Sequence, residues 1–310
     1  GSVVAAIDFN EEKLDETLRL ADHPNISAHV ADVSNAPEVL SISNDVLEIH
    51  GVVDGLVNNA GIMQPFYSVE DLGVDDLQRI FNVNFWGVIH MLKAFMPHLR
   101  KRPEAHIINI SSMGGYMPFP GQVGYGASKA AVKLLTEGLA VELSSTNVGV
   151  SVAYPGAVKT SITHDIPDIS PQMRQIAERS GLSPKTAARR IIRGIESNQP
   201  RILIGYDSLV IDKLYRLMPV STSRFISWMS DLDVTPPCTS RFAYSRRRAA
   251  RPSARGGAYF FWASSSSVSG SSSSAYGAAR GEPKSTIERV ARVRLSASES
   301  AARKKPSELC

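Results

Sequence analysis

Six short apolar runs recur along the first two-thirds of the chain: "SVVAAI", "ISAHV", "DGLVNN", "HIINIS", "GVSVAY" and "RILIG". Their apolar residues fall on consecutive rather than alternate positions, which predicts strands of a sheet covered on both faces. Between them lie stretches that predict helices beginning near Asn10, Asn35, Val74, Val123 and Ser183, the last with Pro184 placed for a first helical turn. Such alternation predicts an α/β fold of parallel strands with crossover helices. Residues 162–182 form a longer, less patterned insertion, and at the carboxyl edge of a sheet such a segment covers a pocket.

The pattern stops near residue 236. Beyond it come "SRRRAARPSARGGAYFFW" and nine serines within residues 264–274, without periodicity, which predicts disorder for a tail of residues 236–310 beside a folded domain of residues 1–235. Charge divides in the same way. The chain carries +4 overall, but the tail holds 14 Lys and Arg against 4 Glu, so residues 1–235 are left at −6. A mildly acidic domain argues against nucleic acid as its partner. The two cysteines, Cys238 and Cys310, make no disulfide framework and suit a reducing, cytoplasmic compartment. No apolar run reaches the roughly 20 residues that span a bilayer.

"YGASKAAVKLLTEGLAVEL", residues 125–143, brings chemistry into the helical pattern. Four residues turn a helix through about 400°, so Tyr125 and Lys129 project within roughly 40° of each other. Taken singly, they read equally well as a packed phenol and a solvated amine. Thirteen residues earlier, Ser112 stands at the end of the strand "IINIS". Asn82 and Asn84 lie inside the apolar helix "IFNVNFWGVIH", where an amide either satisfies a backbone group or serves a site. The scattered histidines form no ligand set, so no metal is expected; His90 and His98 read as solvent-facing or locally bonded.

"NNAG" at 58–61, Asn84, Ser112, "YGASK" from 125 and "PGAVKT" from 155 occur in an order and spacing that resemble the classical short-chain dehydrogenase/reductase family over residues 1–235. The resemblance implies a Rossmann-type doubly wound parallel sheet and an oxidoreductase that transfers a hydride between NAD(P) and a secondary alcohol or ketone. It implies Asn84, Ser112, Tyr125 and Lys129 as catalytic residues: Tyr125 the general acid/base, Lys129 tuning it and holding the nicotinamide ribose, Ser112 bonding the substrate oxygen, and Asn84 holding a water. Asp8, Asp32, Val33, Asn59, Ala60, Gly61, Val158 and Thr160 are then expected at the cofactor. Asp8 closes its strand where a carboxylate accepts from both adenosine ribose hydroxyls and repels a 2′-phosphate, which favours NAD over NADP.

Ser112, Met113 and Tyr125 are expected at the substrate. Met63, Phe66, Met117 and Phe119 would add an apolar lining that suits a lipophilic substrate. A homodimer or homotetramer follows by likeness, through the helices near Val74 and Val123. The family's glycine-rich phosphate turn is absent and the sequence opens where a second strand is expected, which reads as a missing N-terminal segment. A non-catalytic dinucleotide-binding regulator on the same fold is the alternative.

Overall fold

In the computed structural model the described residues are 2–159 and 181–230, all within Gly1–Tyr244, the first of two units into which the chain divides. Thr160, most of the 162–182 insertion and the 236–310 tail lie outside them. The alternation read from the sequence is present. Strand β1 (Val4–Asp8) leads to α1 (Glu11–Ala21), β2 (Ile26–Val30) to α2 (Ala36–His50), and β3 (Gly55–Asn58) to α3 (Val74–Phe81). One wide π-helical turn, Asn82–Trp86, continues α3 into α4 (Gly87–Leu99). Strand β4 (Ala105–Ile110), α5 (Val123–Glu142), β5 (Val148–Pro155), α6 (Pro184–Glu196) and β6 (Arg201–Ile204) follow, then α7 (Tyr206–Leu217) and α8 (Pro219–Ser230).

All strand pairs are parallel. They form two sheets, β1-β2 and β3-β4-β5-β6. Alternate residues of the central strands feed two apolar clusters. Ile107 and Val150 join Val39 and Val46 of α2, Leu92, Phe95 and Leu99 of α4, and Val132 of α5 on one face. Ile108, Ile110 and Ala153 join Ala187 of α6 and Ile202 and Ile204 of β6 on the other. Ala5 and Ile7 of β1 pack on the first cluster, so that cluster serves both sheets. No described helix is long and apolar enough to cross a membrane.

Local signals explain most boundaries. The Asn10 side chain accepts from Lys13 N, and the Ser183 hydroxyl from Thr186 N ahead of Pro184. The sequence pattern predicts no helix after "RILIG", yet α7 and α8 are there. The buried positions of α7 are Ser208 and Asp212, one turn apart, so its inward face is polar and carries no apolar period. Ser208 donates to Tyr154 O, while Arg201 and Arg216 meet the Asp212 carboxylate at 3.0 and 3.1 Å.

Buried polar side chains tie elements together. Asn58 of β3 donates to Asn109 of β4, which donates to Thr136 of α5. Ser27 Oγ lies 2.8 Å from Nε2 of both His29 and His50, joining β2 to the end of α2. Ser151 gives its own hydrogen to Gln199 O, so His106 Nε2 must donate to the Ser151 oxygen, 2.8 Å away. Burial holds the imidazoles of His106 and His29 below the usual histidine range; Glu104 opposes this weakly for His106, and His50 adds to it for His29.

Neutral histidine in the fold and ordinary histidine in the unfolded chain fix a sign. The stability they contribute is full above the unfolded value of about 6.5 and is lost as pH falls through it toward the lowered folded values. The melting temperature should therefore drop by about 5 °C between pH 7.5 and 5. His106→Gln, which keeps a donor but does not titrate, should show a smaller drop by scanning calorimetry.

Candidate active site

Parallel strands end at the same edge of a sheet, so the loops after β3, β4 and β5 gather there. Those loops carry Asn59–Gly61, Ser111–Met113 and Gly156–Val158. Two glycines let the pieces close. A Cβ at Gly126 would lie 3.0 Å from Gly114 O, and one at Gly115 would lie 2.9 Å from Lys129 O. The 3₁₀ turn Met113–Gly115 is thus pressed onto the first turns of α5.

Tyr125 and Lys129 come together on that helix as their spacing predicts. Lys129 is 4% exposed, and its Nζ donates to Ile110 O at 3.0 Å and lies 5.9 Å from the Tyr125 ring centroid. A Cβ at Gly61 would stand 3.0 Å from Nζ, so the "NNAG" loop reaches the ammonium directly. Ser112 Oγ accepts from Gly114 N at 3.1 Å and sits beside the Tyr125 phenol, close enough to favour its ionised form. Burial pushes the Lys129 ammonium down to about 8. It pushes the Tyr125 phenol up, and Ser112 pulls the other way. Desolvation thus favours the neutral form of each partner.

Asn84, fully buried in the π-helical turn, spends its side chain on neighbours. Oδ1 accepts from Ile62 N at 2.8 Å, and Nδ2 donates to Ile62 O at 3.0 Å and to Ser128 Oγ at 2.9 Å. The amide that the resemblance gives to a water therefore holds the loop beside Lys129. A π-helical turn inside an α-helix widens the backbone locally and recurs at functional sites.

The adenine-side residues lie at the ends of β1 and β2. One Asp8 oxygen accepts from Asn10 N at 2.9 Å; the other has no partner among the described residues. Asp32 Oδ1 takes both the amide and the hydroxyl of Ser34, while Glu38 accepts from Asp32 N. Val33 packs against Gly87, and its carbonyl lies 3.0 Å from His90 Nδ1. His90 is therefore neither solvent-facing nor bonded to a sequence neighbour: it fastens the β2 loop to α4. Asn59 and Ala60 are exposed and Gly61 half-buried. Val158 bridges to Leu182 and packs on the Ile108/Ile204 cluster.

Of the expected lining, Met63, Phe66, Met113 and Phe119 are half-buried, with Phe66 and Phe119 edge to face at 6.4 Å. Met117 is 3% exposed and belongs to the interior, since the 3₁₀ turn directs it inward. Two residues here have no place in the sequence reading. Gln64 Oε1 accepts from Tyr125 N, and Asp207 Oδ2 accepts from Ala157 N at 2.7 Å. The signal for Asp207 is the "GYD" that opens α7: Gly205 has φ +109°, and a side chain at Gly156 would run into the carboxylate. Gln64 left no signal of that kind.

A model of the short chain dehydrogenase family matches residues 1–169. SadH of Mycobacterium tuberculosis is 33% identical over 234 residues, 72% of this chain and 84% of that protein. The 3-ketodihydrosphingosine reductase of Bacteroides thetaiotaomicron is 30% identical over 217 residues, 65% and 77% of the two chains. Among solved structures, a short chain dehydrogenase/reductase from Burkholderia phymatum in complex with NAD superposes with a TM-score of 0.61 at 26% identity, covering 76% of this chain and 88% of that one. With the fold, the order of its loops and these likenesses in agreement, the chain belongs to the short-chain dehydrogenase/reductase family, NAD(P)-dependent oxidoreductases acting on CH–OH groups.

Proposed function

We propose that the chain interconverts a lipophilic secondary alcohol and its ketone, with Tyr125 as the proton-transfer group, and that residues 1–235 are the catalytic domain. The carrying observation is the buried Lys129 ammonium, hung from Ile110 O one turn from a phenol that has Ser112 beside it. The site suits a dinucleotide: Gly61 leaves space at Lys129 Nζ, one Asp8 oxygen at the end of β1 has no partner among the described residues, and Gly156–Val158 is fixed by Asp207. Lys129 would hold the nicotinamide ribose, Val158 and Thr160 its carboxamide side, Asn59, Ala60 and Gly61 the adenosine ribose, Asp32 and Val33 the adenine, and Asp8 the ribose diol. Bound NAD(P) supplies or accepts the hydride at the carbinol carbon.

The protein's own part is the proton. In reduction the Tyr125 phenol gives its hydrogen to the carbonyl oxygen as charge develops there, and the Ser112 hydroxyl donates a hydrogen bond to the same oxygen. In oxidation the phenolate takes the hydroxyl proton, and the Lys129 charge favours that phenolate. Because burial keeps the phenol protonated at neutral pH, the resting site is set for reduction, and oxidation should quicken toward alkaline pH. Asn84 keeps the Gly61 loop against Lys129 throughout. Met63, Phe66, Met113 and Phe119 make the substrate side apolar, in keeping with a relative named for a 3-ketodihydrosphingosine. Val74 and Val123 are exposed at the starts of α3 and α5, which suits assembly into a homodimer or homotetramer.

Tyr125→Phe keeps the ring and removes the proton donor, so turnover should fall by about three orders of magnitude with cofactor affinity little changed. Nicotinamide absorbance across a panel of ketones checks it, and a variant with near-normal turnover would overturn the mechanism.

Lys129→Met should also abolish turnover while raising the melting temperature at pH 7. The wild-type ammonium titrates near 8 in the fold against an ordinary 10.5. Its burial penalty, about 3 kcal/mol, is full below pH 8 and relieved between 8 and 10.5. The stability gap between variant and wild type should therefore narrow in calorimetry at pH 10.

Asp8→Ala should weaken NAD by about 1 to 3 kcal/mol and improve the relative use of NADP. Unchanged selectivity in paired titrations would reduce Asp8 to the cap of Asn10.

A further inference from the structure

The helix carrying Tyr125 begins without a cap of its own. Gln122 stands at its N-cap position and makes no side-chain capping bond, so the first-turn amides need acceptors from elsewhere. One comes from a residue 61 positions earlier. Gln64, 1% exposed in the loop that follows "NNAGI", accepts from Tyr125 N at 2.9 Å through Oε1 and donates to Gly121 O at 2.8 Å through Nε2. In return Gln122 Nε2 donates to Gln64 O at 2.9 Å. The two amides thus reach into each other's segments.

Room for this exchange is built in. A Cβ at Gly124 would lie 2.7 Å from Gln64 Oε1 and 2.8 Å from Leu77 Cδ1, so the glycine admits the amide. At Gly121, φ is +74° and an added Cβ would press on Phe66, which keeps that turn tight against the loop. The same loop is fastened two residues upstream, where Asn84 holds both backbone groups of Ile62. Ser128, which takes an Asn84 hydrogen, passes its own to Tyr125 O. The backbone of Tyr125 is therefore gripped at its N–H by Gln64 and at its carbonyl by a chain leading to Asn84, and both grips start from the loop that lines the cofactor side.

We propose that Gln64 is a positioning residue: with Gln122 it forms a two-amide clamp that seats the Tyr125 phenol against Ser112 and couples that seat to the Asn59–Gly61 loop. This rests on the reading of Tyr125 as the proton-transfer group. Gln64 is too buried to meet substrate and acts through the helix backbone. Displacing a reacting group by about 1 Å costs up to about 100-fold in rate.

The test compares the full-length wild type with Gln64→Met, Gln122→Met and Tyr125→Phe, using hydrogen exchange by mass spectrometry, NADH affinity by fluorescence, and turnover with the best ketone from the screen. Gln64→Met, close in volume but without the amide, should speed exchange at residues 123–126 about tenfold and leave β4 and β5 unchanged. Its kcat should fall about 10- to 100-fold, with KM and NADH affinity within about threefold of wild type. The pH profile should shift upward, because a phenol lifted from Ser112 loses the neighbour that favours its ionised form.

Should Gln64→Met fail to fold, Gln122→Met tests the tie from the other side. Among the described residues the Gln122 carbonyl oxygen has no partner, so the variant gives up only the bond from Nε2 to Gln64 O, and the same changes should appear at smaller size. A kcat within threefold of wild type in both variants, with Tyr125→Phe inactive, would overturn the clamp. If Tyr125→Phe keeps its turnover, the catalytic reading itself falls, and unchanged exchange at 123–126 then also disposes of the clamp.

Discussion

An ammonium group held out of water is the constraint on which this site depends. Lys129 has left solvent for a single carbonyl, Ile110 O, and the fold must keep that carbonyl in place or the charge becomes intolerable. The position of Ile110 follows from β4 being paired on both sides, by β3 and β5, with apolar clusters above and below. Two glycines let the ammonium sit there: Gly61 leaves room at Nζ, and Gly115 lets the 3₁₀ turn close on the Lys129 backbone. A site of this kind is made by rigidity around one costly group rather than by many contacts to it.

That rigidity is supplied loop by loop, and each time by a side chain from elsewhere in the sequence. Asn84 holds the loop after β3, Gln64 the start of α5, and Asp207 the loop after β5. Glu38 and His90 hold the loop after β2. Loop backbone at the end of a sheet has no ladder to satisfy its polar groups, so buried amides and carboxylates take the ladder's part. Asn58, Asn109 and Thr136 continue the same practice into the core, where apolar residues would pack but would not fix the position of β3 against α5.

The strands and the first helices were legible because apolar runs and caps are local facts: "ISAHV" is β2 residue for residue, and Asn10 and Ser183 cap where they are expected to. Tyr125, Lys129 and Ser112 were legible as a set because their spacing resembles a known family, and the geometry joins them. What stayed hidden is non-local. Gln64 between Met63 and Pro65 carries no mark of a partner 61 residues away, and His90 gives no hint of Val33. Helix α7 was invisible for a different reason, since its inward face is Ser208 and Asp212 and an apolar period cannot report it. Met117 was misplaced because a methionine beside a loop looks the same whether it turns out or in.

The two-sheet arrangement bears on cooperativity. Hydrogen-bonded ladders transmit unfolding from strand to strand, and among the described residues no ladder runs from β1 to β3. Among the described residues the β1–β2 pair meets the rest through side chains: Ala5 and Ile7 on the shared cluster, α2 against α4, and the His90–Val33 bond. Such a joint yields before a ladder does, so the pair is the more weakly tied half of the described residues. Asp8 lies on one half and Lys129 on the other. A molecule long enough to touch both is a strut across the seam, and binding it would make two separately yielding plates give way as one.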